Sequence, residues 1–120
     1  MNTPVNFELA KLLVEKKMHI KTLSTLSYGV EEGKEPTLLP NEFIFGKMSS
    51  YNAPLILEVV MWLFEKHGIW IHSTYRDNVV GFNYSICNIK TNTVEMEAWE
   101  FNSPTKAYEA GIIYTLKKLL

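Results

Sequence analysis

Residues 52–71 read NAPLILEVVMWLFEKHGIWI, and the fold turns on how this run divides. Ile56, Val59, Val60 and Leu63 recur at the spacing of a helix with one buried face. Asn52 can cap a helix start, and Pro54 suits a first turn, where its missing N–H costs nothing. Lys66 and His67 put positive charge near the last carbonyls, and Gly68 can take the left-handed conformation that ends helices. Ile69, Trp70 and Ile71 resume in β-prone residues. The run predicts a buried helix, a glycine stop and a buried strand.

Downstream the alternation continues. Ile69, Ile71, Ser73 and Tyr75 point one way, and Trp70, His72, Thr74 and Arg76 the other. Asp77-Asn78 suits a two-residue hairpin turn, because both residues tolerate positive φ. That turn sets Arg76 opposite Val79, Tyr75 opposite Val80, Ser73 opposite Phe82 and Ile71 opposite Tyr84. Val80, Phe82, Tyr84 and Ile86 then share the face of Ile69 and Ile71, so the register agrees with the hydrophobic pattern. The other face pairs Trp70 with Ser85, His72 with Asn83 and Thr74 with Gly81. A three-residue loop at Lys90-Thr91-Asn92, with Asn92 left-handed, keeps Val94, Met96 and Ala98 beside Ile86 and Tyr84. Glu95, Glu97 and Trp99 then point outward.

Ser103-Pro104 opens a last helix, whose buried stripe is Ala107, Tyr108, Ile112, Leu116 and Leu119. Gly111 inside it costs about 1 kcal/mol relative to alanine, which implies a close backbone approach. Upstream, Thr3-Pro4 predicts a first helix ending near Lys17, with Val5, Leu9, Leu12 and Leu13 on one stripe. Leu26, Tyr28 and Val30 suggest a weak strand, residues 31–41 a loop, and residues 42–46 a short edge strand.

The fold class expected is α+β: one domain over residues 1–120, in the order α-β-β-α-β-β-β-α. Three C-terminal strands and one or two from residues 23–46 form an antiparallel sheet packed by three helices. With 120 residues, 47% hydrophobic and 21% charged, the composition is that of a globular domain. Twelve basic and thirteen acidic residues leave a net charge of −1, which supplies no global field for nucleic acid or an anionic membrane. The N-terminus lacks a basic region followed by a long apolar run, so no signal peptide is expected. No apolar run approaches the roughly 20 residues of a membrane span. A cytoplasmic location follows as the expectation. Cys87 is the single cysteine.

Chemistry-bearing patterns are sparse. His67 and His72 fall on different elements, and no set of ligands at metal spacing accompanies them. There is no nucleophile elbow, phosphate loop or dinucleotide fingerprint. Glu95 and Glu97 alternate onto one face, the pattern of a solvated strand rather than of a catalytic acid pair. No catalytic, cofactor-binding or metal residue is assigned, no cofactor is expected, and the chain is read as a non-enzyme. The outward aromatics are the exception. Trp70 and Trp99 share the sheet face away from Tyr84, with His72 beside them, and Trp62 lies on the wetter part of the central helix. These four residues form the candidate interaction surface.

Two phrases, EVVMWLFEKHGIWI at residues 58–71 and NSPTKAYEAGIIYTLKKLL at residues 102–120, together with TPVNFELAKLLVEK near the N-terminus, resemble small uncharacterised proteins of gut Bacteroides genomes and their phages. The resemblance implies a phage-related origin and a fold, and carries no activity. From residue 52 onward, helix–strand–strand–strand–helix is also the order of double-stranded-RNA-binding domains and in part of small antitoxins. Lys106-Ala107 and Ala110-Gly111 look similar to the last helix of that family. Its phosphate-binding lysine cluster is represented here by Lys106 alone. The function expected is a non-enzymatic, phage-related accessory protein acting through protein–protein interaction, with an unknown protein partner or as a homodimer. A nucleic-acid-binding module is the alternative.

Overall fold

The computed structural model describes residues 3–46, 48–76 and 81–120. The chain runs α1 (Phe7–Glu15), β1 (Leu26–Val30), β2 (Thr37–Pro40), a 3-10 turn (Asn41–Phe43), β3 (Ser49–Asn52), α2 (Ile56–His67), β4 (Ile69–His72), β5 (Phe82–Asn88), β6 (Thr93–Phe101) and α3 (Pro104–Tyr114). A π turn (Thr115–Leu119) extends α3. The α+β class holds, with three helices and antiparallel strands among the described residues. The strands form two separate three-stranded sheets, ordered β2-β1-β3 and β4-β5-β6.

The central run divides as expected at Gly68, whose φ is 66°. Ile56, Val59, Val60 and Leu63 are buried. The helix start differs. Asn52 ends β3, paired with Ser27, and the carbonyl of Pro54 accepts the Val5 N–H. Leu55 is the cap residue, and the Glu58 carboxylate accepts its N–H at 2.8 Å. Helix α1 likewise starts later than Thr3-Pro4: the Asn6 side chain caps it by accepting the Leu9 N–H at 2.9 Å. Thr3 and Pro4 are extended instead. The Thr3 carbonyl accepts the Ile56 N–H, and Pro4 bridges to Leu55. A proline that can start a helix can equally lie in an extended segment, and here the α2 start offers that segment a partner.

In the C-terminal sheet, Ile71 pairs with Ile86 and His72 with Ser85, so the β4–β5 register is two residues away from the expected one. A slip of two leaves every side chain on its face, which is why the hydrophobic pattern could not exclude it. The Asp77-Asn78 turn, Val79 and Val80 lie outside the described residues. Strand β6 pairs Met96 with Ile86 and Ala98 with Tyr84, as expected. Nearer the turn, Asn88 pairs with Thr93 and the loop is one residue longer than expected, with Asn92 left-handed at φ 54°. A bulge at Glu95 absorbs the difference and turns Val94 onto the Cys87 side, where it is 62% exposed rather than beside Ile86.

Helix α3 lies on the Ile71/Tyr84 face. A Cβ at Gly111 would stand 3.1 Å from both Ile71 Cγ2 and Tyr84 Cγ, which explains the glycine. Ser103 Oγ caps this helix through the Lys106 N–H. Ala107, Ile112 and Leu116 are buried, and Tyr108 and Leu119 pack at the margin of the same core. That core joins Val5, Leu9 and Leu13 to Val59, Leu63, Ile71 and Ile86.

In the N-terminal sheet the edge strand expected at residues 42–46 is a 3-10 turn and irregular chain; the strands are Thr37–Pro40 and Ser49–Asn52. This chain folds over β1, with Ile44, Met48 and Leu39 closing on Gly29. Phe7 of α1 meets Tyr28 and Tyr51 edge-on, with centroids 5.6 and 5.5 Å away, and so seats α1 on the other face.

Candidate interaction surface

The helices that touch the C-terminal sheet, α2 and α3, pack on its Ile71/Tyr84 side. The opposite side carries Trp70, His72, Thr74 and Arg76 from β4 and its extension, Asn83, Ser85 and Cys87 from β5, and Glu97 and Trp99 from β6. Trp70, His72 and Trp99 therefore share one face, as expected. Strand β5 supplies only the small side chains of Asn83, Ser85 and Cys87 between them. Asn83 and Ser85 are buried.

Specific contacts order this face. Arg76 crosses the central strand and lies 5.0 Å over the Trp99 ring. The Trp99 Nε1–H donates to Glu97 at 2.8 Å, which fixes the indole from the other side. Asn83 Oδ1 accepts both the Thr74 N–H (2.6 Å) and the Thr74 hydroxyl (2.9 Å). His72, Ser85 and Glu97 form a cross-strand row with serine in the middle. Ser85 Oγ meets Cys87 Sγ at 3.9 Å. Among the described residues, His72 Nδ1 and Ser73 Oγ are shut off from water without a hydrogen-bond partner. Nucleophilic activation needs the imidazole between hydroxyl and carboxylate, and the row offers a different order.

Trp62 belongs elsewhere. It stacks on His67 (5.2 Å, edge-on) and packs against the core. At 100° per residue it points to the opposite flank of α2 from Phe64. Phe64 takes its place, because its ring meets Trp70 edge-on at 5.6 Å around the side of β4. Leu57, Met61 and Phe64 stand one turn apart and are 44%, 38% and 40% exposed, so an apolar stripe on α2 runs into the tryptophan face. Sequence reading missed this stripe because helix α2 is apolar almost all round. Its core stripe, Ile56, Val59, Val60 and Leu63, accounts for the periodicity on its own.

Two carboxylates outside this face are perturbed in opposite directions. Partial burial would raise Glu58, but the Thr22 hydroxyl and the N–H groups of Leu55 and Leu23 all donate to it and hold it below the usual glutamate range. Glu109 on α3 is buried and pushed up by that burial, though the Asn6 N–H (2.9 Å) and nearby Lys106 act against the shift. Tyr28 is raised by its own burial and by facing Glu109. No described helix is long and apolar enough to cross a membrane, and the described residues hold no cluster of three metal-ligating side chains. No family model, curated protein or solved structure matches the chain.

Proposed function

We propose that the chain is a non-enzymatic accessory protein, of the phage-related kind its helix–strand phrases resemble, that binds another protein in the cytoplasm through the outer face of the C-terminal sheet. A second copy of the chain is one candidate partner. The observation that carries this is the continuity of the apolar surface. Leu57, Met61 and Phe64 on α2 lead through the Phe64–Trp70 contact onto a sheet face whose two helices lie on its other side. Exposed apolar side chains at helical spacing recover about 25 cal/mol for each Å2 that a partner covers.

Light scattering at low and high salt, on the wild type and on Trp70→Ala and Phe64→Ala, tests it. Apolar association persists at high salt and is lost in both variants. A monomer that also captures no partner through this face contradicts the proposal.

Nucleic-acid binding is the second reading, favoured by one observation: α2-β4-β5-β6-α3 has the order expected of a double-stranded-RNA-binding domain. It predicts duplex binding that weakens steeply with salt. With Lys106 alone at the start of α3, a gel shift is expected to show only weak, non-specific affinity of about 10⁻⁴–10⁻⁶ M.

A further inference from the structure

A second surface, unrelated to the tryptophan face, lies where α1 ends. Leu13, Val14, Met18 and Ile20 line an apolar cleft of about 230 Å3, with Lys17 and His19 also in its wall. Residues 16–21 carry three lysines and a histidine and no acid. Among the described residues, Lys16, Lys17 and Lys21 form no ion pair, as is also true of Lys66, Lys90, Lys106 and Lys118. The chain is nearly neutral overall, so this run is a local excess of positive charge, of which Lys17 and His19 reach the wall of the apolar depression.

The backbone points the same way. Helix α1 closes with the Met18 N–H on the Leu13 carbonyl (3.0 Å) and the Lys17 N–H on the Val14 carbonyl (2.9 Å). That pattern puts Lys17 in the left-handed position, at φ 56°, a place where glycine is the favoured residue. A lysine there holds strained backbone at the cleft.

We infer that this cleft is a docking site for an acidic segment of a partner protein, which seats one large apolar side chain between Leu13, Val14, Met18 and Ile20 and sets its carboxylates against Lys17 and His19 in the wall, with Lys21 next to Ile20 in the chain adding positive charge at the rim. The volume falls below the roughly 300–1,000 Å3 of small-molecule pockets and suits a single side-chain anchor. The apolar groups line a depression rather than project from the surface, which favours an inserted side chain over a lipid bilayer. The charge complementarity specifies acidic flanks and predicts salt-sensitive association.

The test is fluorescence anisotropy with a labelled peptide of Asp and Glu residues around one central Phe, against the same peptide with Ser at the centre. The Phe peptide is expected to bind about tenfold tighter than the Ser peptide and to weaken as salt rises from about 50 to about 300 mM. Lys21→Glu is expected to weaken binding severalfold. Lys17→Gly separates docking from structure: it relieves the backbone strain, so it should raise the melting temperature while weakening the Phe peptide. The inference is overturned by equal affinity for both peptides, by no binding of either, by unchanged affinity in Lys17→Gly, or by capture on phosphatidylserine vesicles that excess Phe peptide does not reverse.

Discussion

The two sheets have the same number of strands and are held together in different ways. In β4-β5-β6 each strand pairs with its neighbour in sequence, and Ile71, Tyr84 and Ile86 enter a core shared with all three helices. In β2-β1-β3 the strand first in sequence lies in the centre, and polar ties do much of the joining. Ser27 Oγ bonds to both Asn41 and Asn52, and the Tyr28 hydroxyl donates to the Val5 carbonyl at 2.7 Å. A buried apolar contact is worth more than a hydrogen bond that replaces one with water. The C-terminal sheet should therefore carry most of the stability, and the N-terminal sheet should open first.

The largest test is Ile71→Ala. It removes a fully buried side chain where β4, β5 and α3 meet, and should cost about 4 kcal/mol in a urea melt. A cost below about 1 kcal/mol would move the centre of stability away from this sheet. Gly81→Ala comes next, at about 3 kcal/mol. Its φ of 101° disfavours any side chain, and a Cβ would collide with the Phe101 carbonyl of the neighbouring strand. Asn83→Ala should cost about 2 kcal/mol. The side chain points away from the helices, yet it is buried and satisfies two Thr74 donors. Tyr28→Phe, the matching change in the other sheet, should cost about 1 kcal/mol. Its clearer signature is faster amide exchange confined to β1–β3, and uniform acceleration across both sheets would erase the contrast between them.

The smallest effects are those of pH. Glu58 is depressed, so its contribution is present above the unfolded-state pKa and is lost as pH falls through its own lower value. Glu109 is raised, so its contribution is present in acid and is lost as pH rises from the ordinary glutamate range through its own higher value. Glu109→Gln keeps an acceptor for the Asn6 N–H without the charge. Its melting temperature should exceed that of the wild type at neutral pH and converge with it in acid. Glu58→Gln should lower the melting temperature at neutral pH and flatten the acid limb. The same sign for both variants at neutral pH would contradict the opposite shifts.

Legibility in the sequence followed the same division between the sheets. Gly68, Ser103-Pro104 and the stripes of α2 and α3 could be read because each feature acts within about four residues of itself. Two members of the site, Trp70 and Trp99, were legible from strand alternation alone. The stripe of Leu57, Met61 and Phe64 was not, because exposure depends on which flank of α2 the sheet leaves uncovered. The burial of Glu109 was likewise invisible, since its partner Asn6 lies 103 residues away in the chain.

Apart from Val94, which the bulge at Glu95 turns to the other face, the sequence by itself determined the helices, their stops, and which residues of the C-terminal strands share a face. Those properties follow from periods of 3.6 and 2, from the glycine stop of α2 and from the Ser103 cap of α3. Only the tertiary structure decided how far β4 slides along β5, because a slip of two preserves both faces. It also decided that β3 returns to pair with β1, and that Thr3-Pro4 lies extended against the start of α2 rather than opening a helix. Pairing partners are chosen by which backbone donors and acceptors remain free once the core has closed, and that condition is a property of the whole chain.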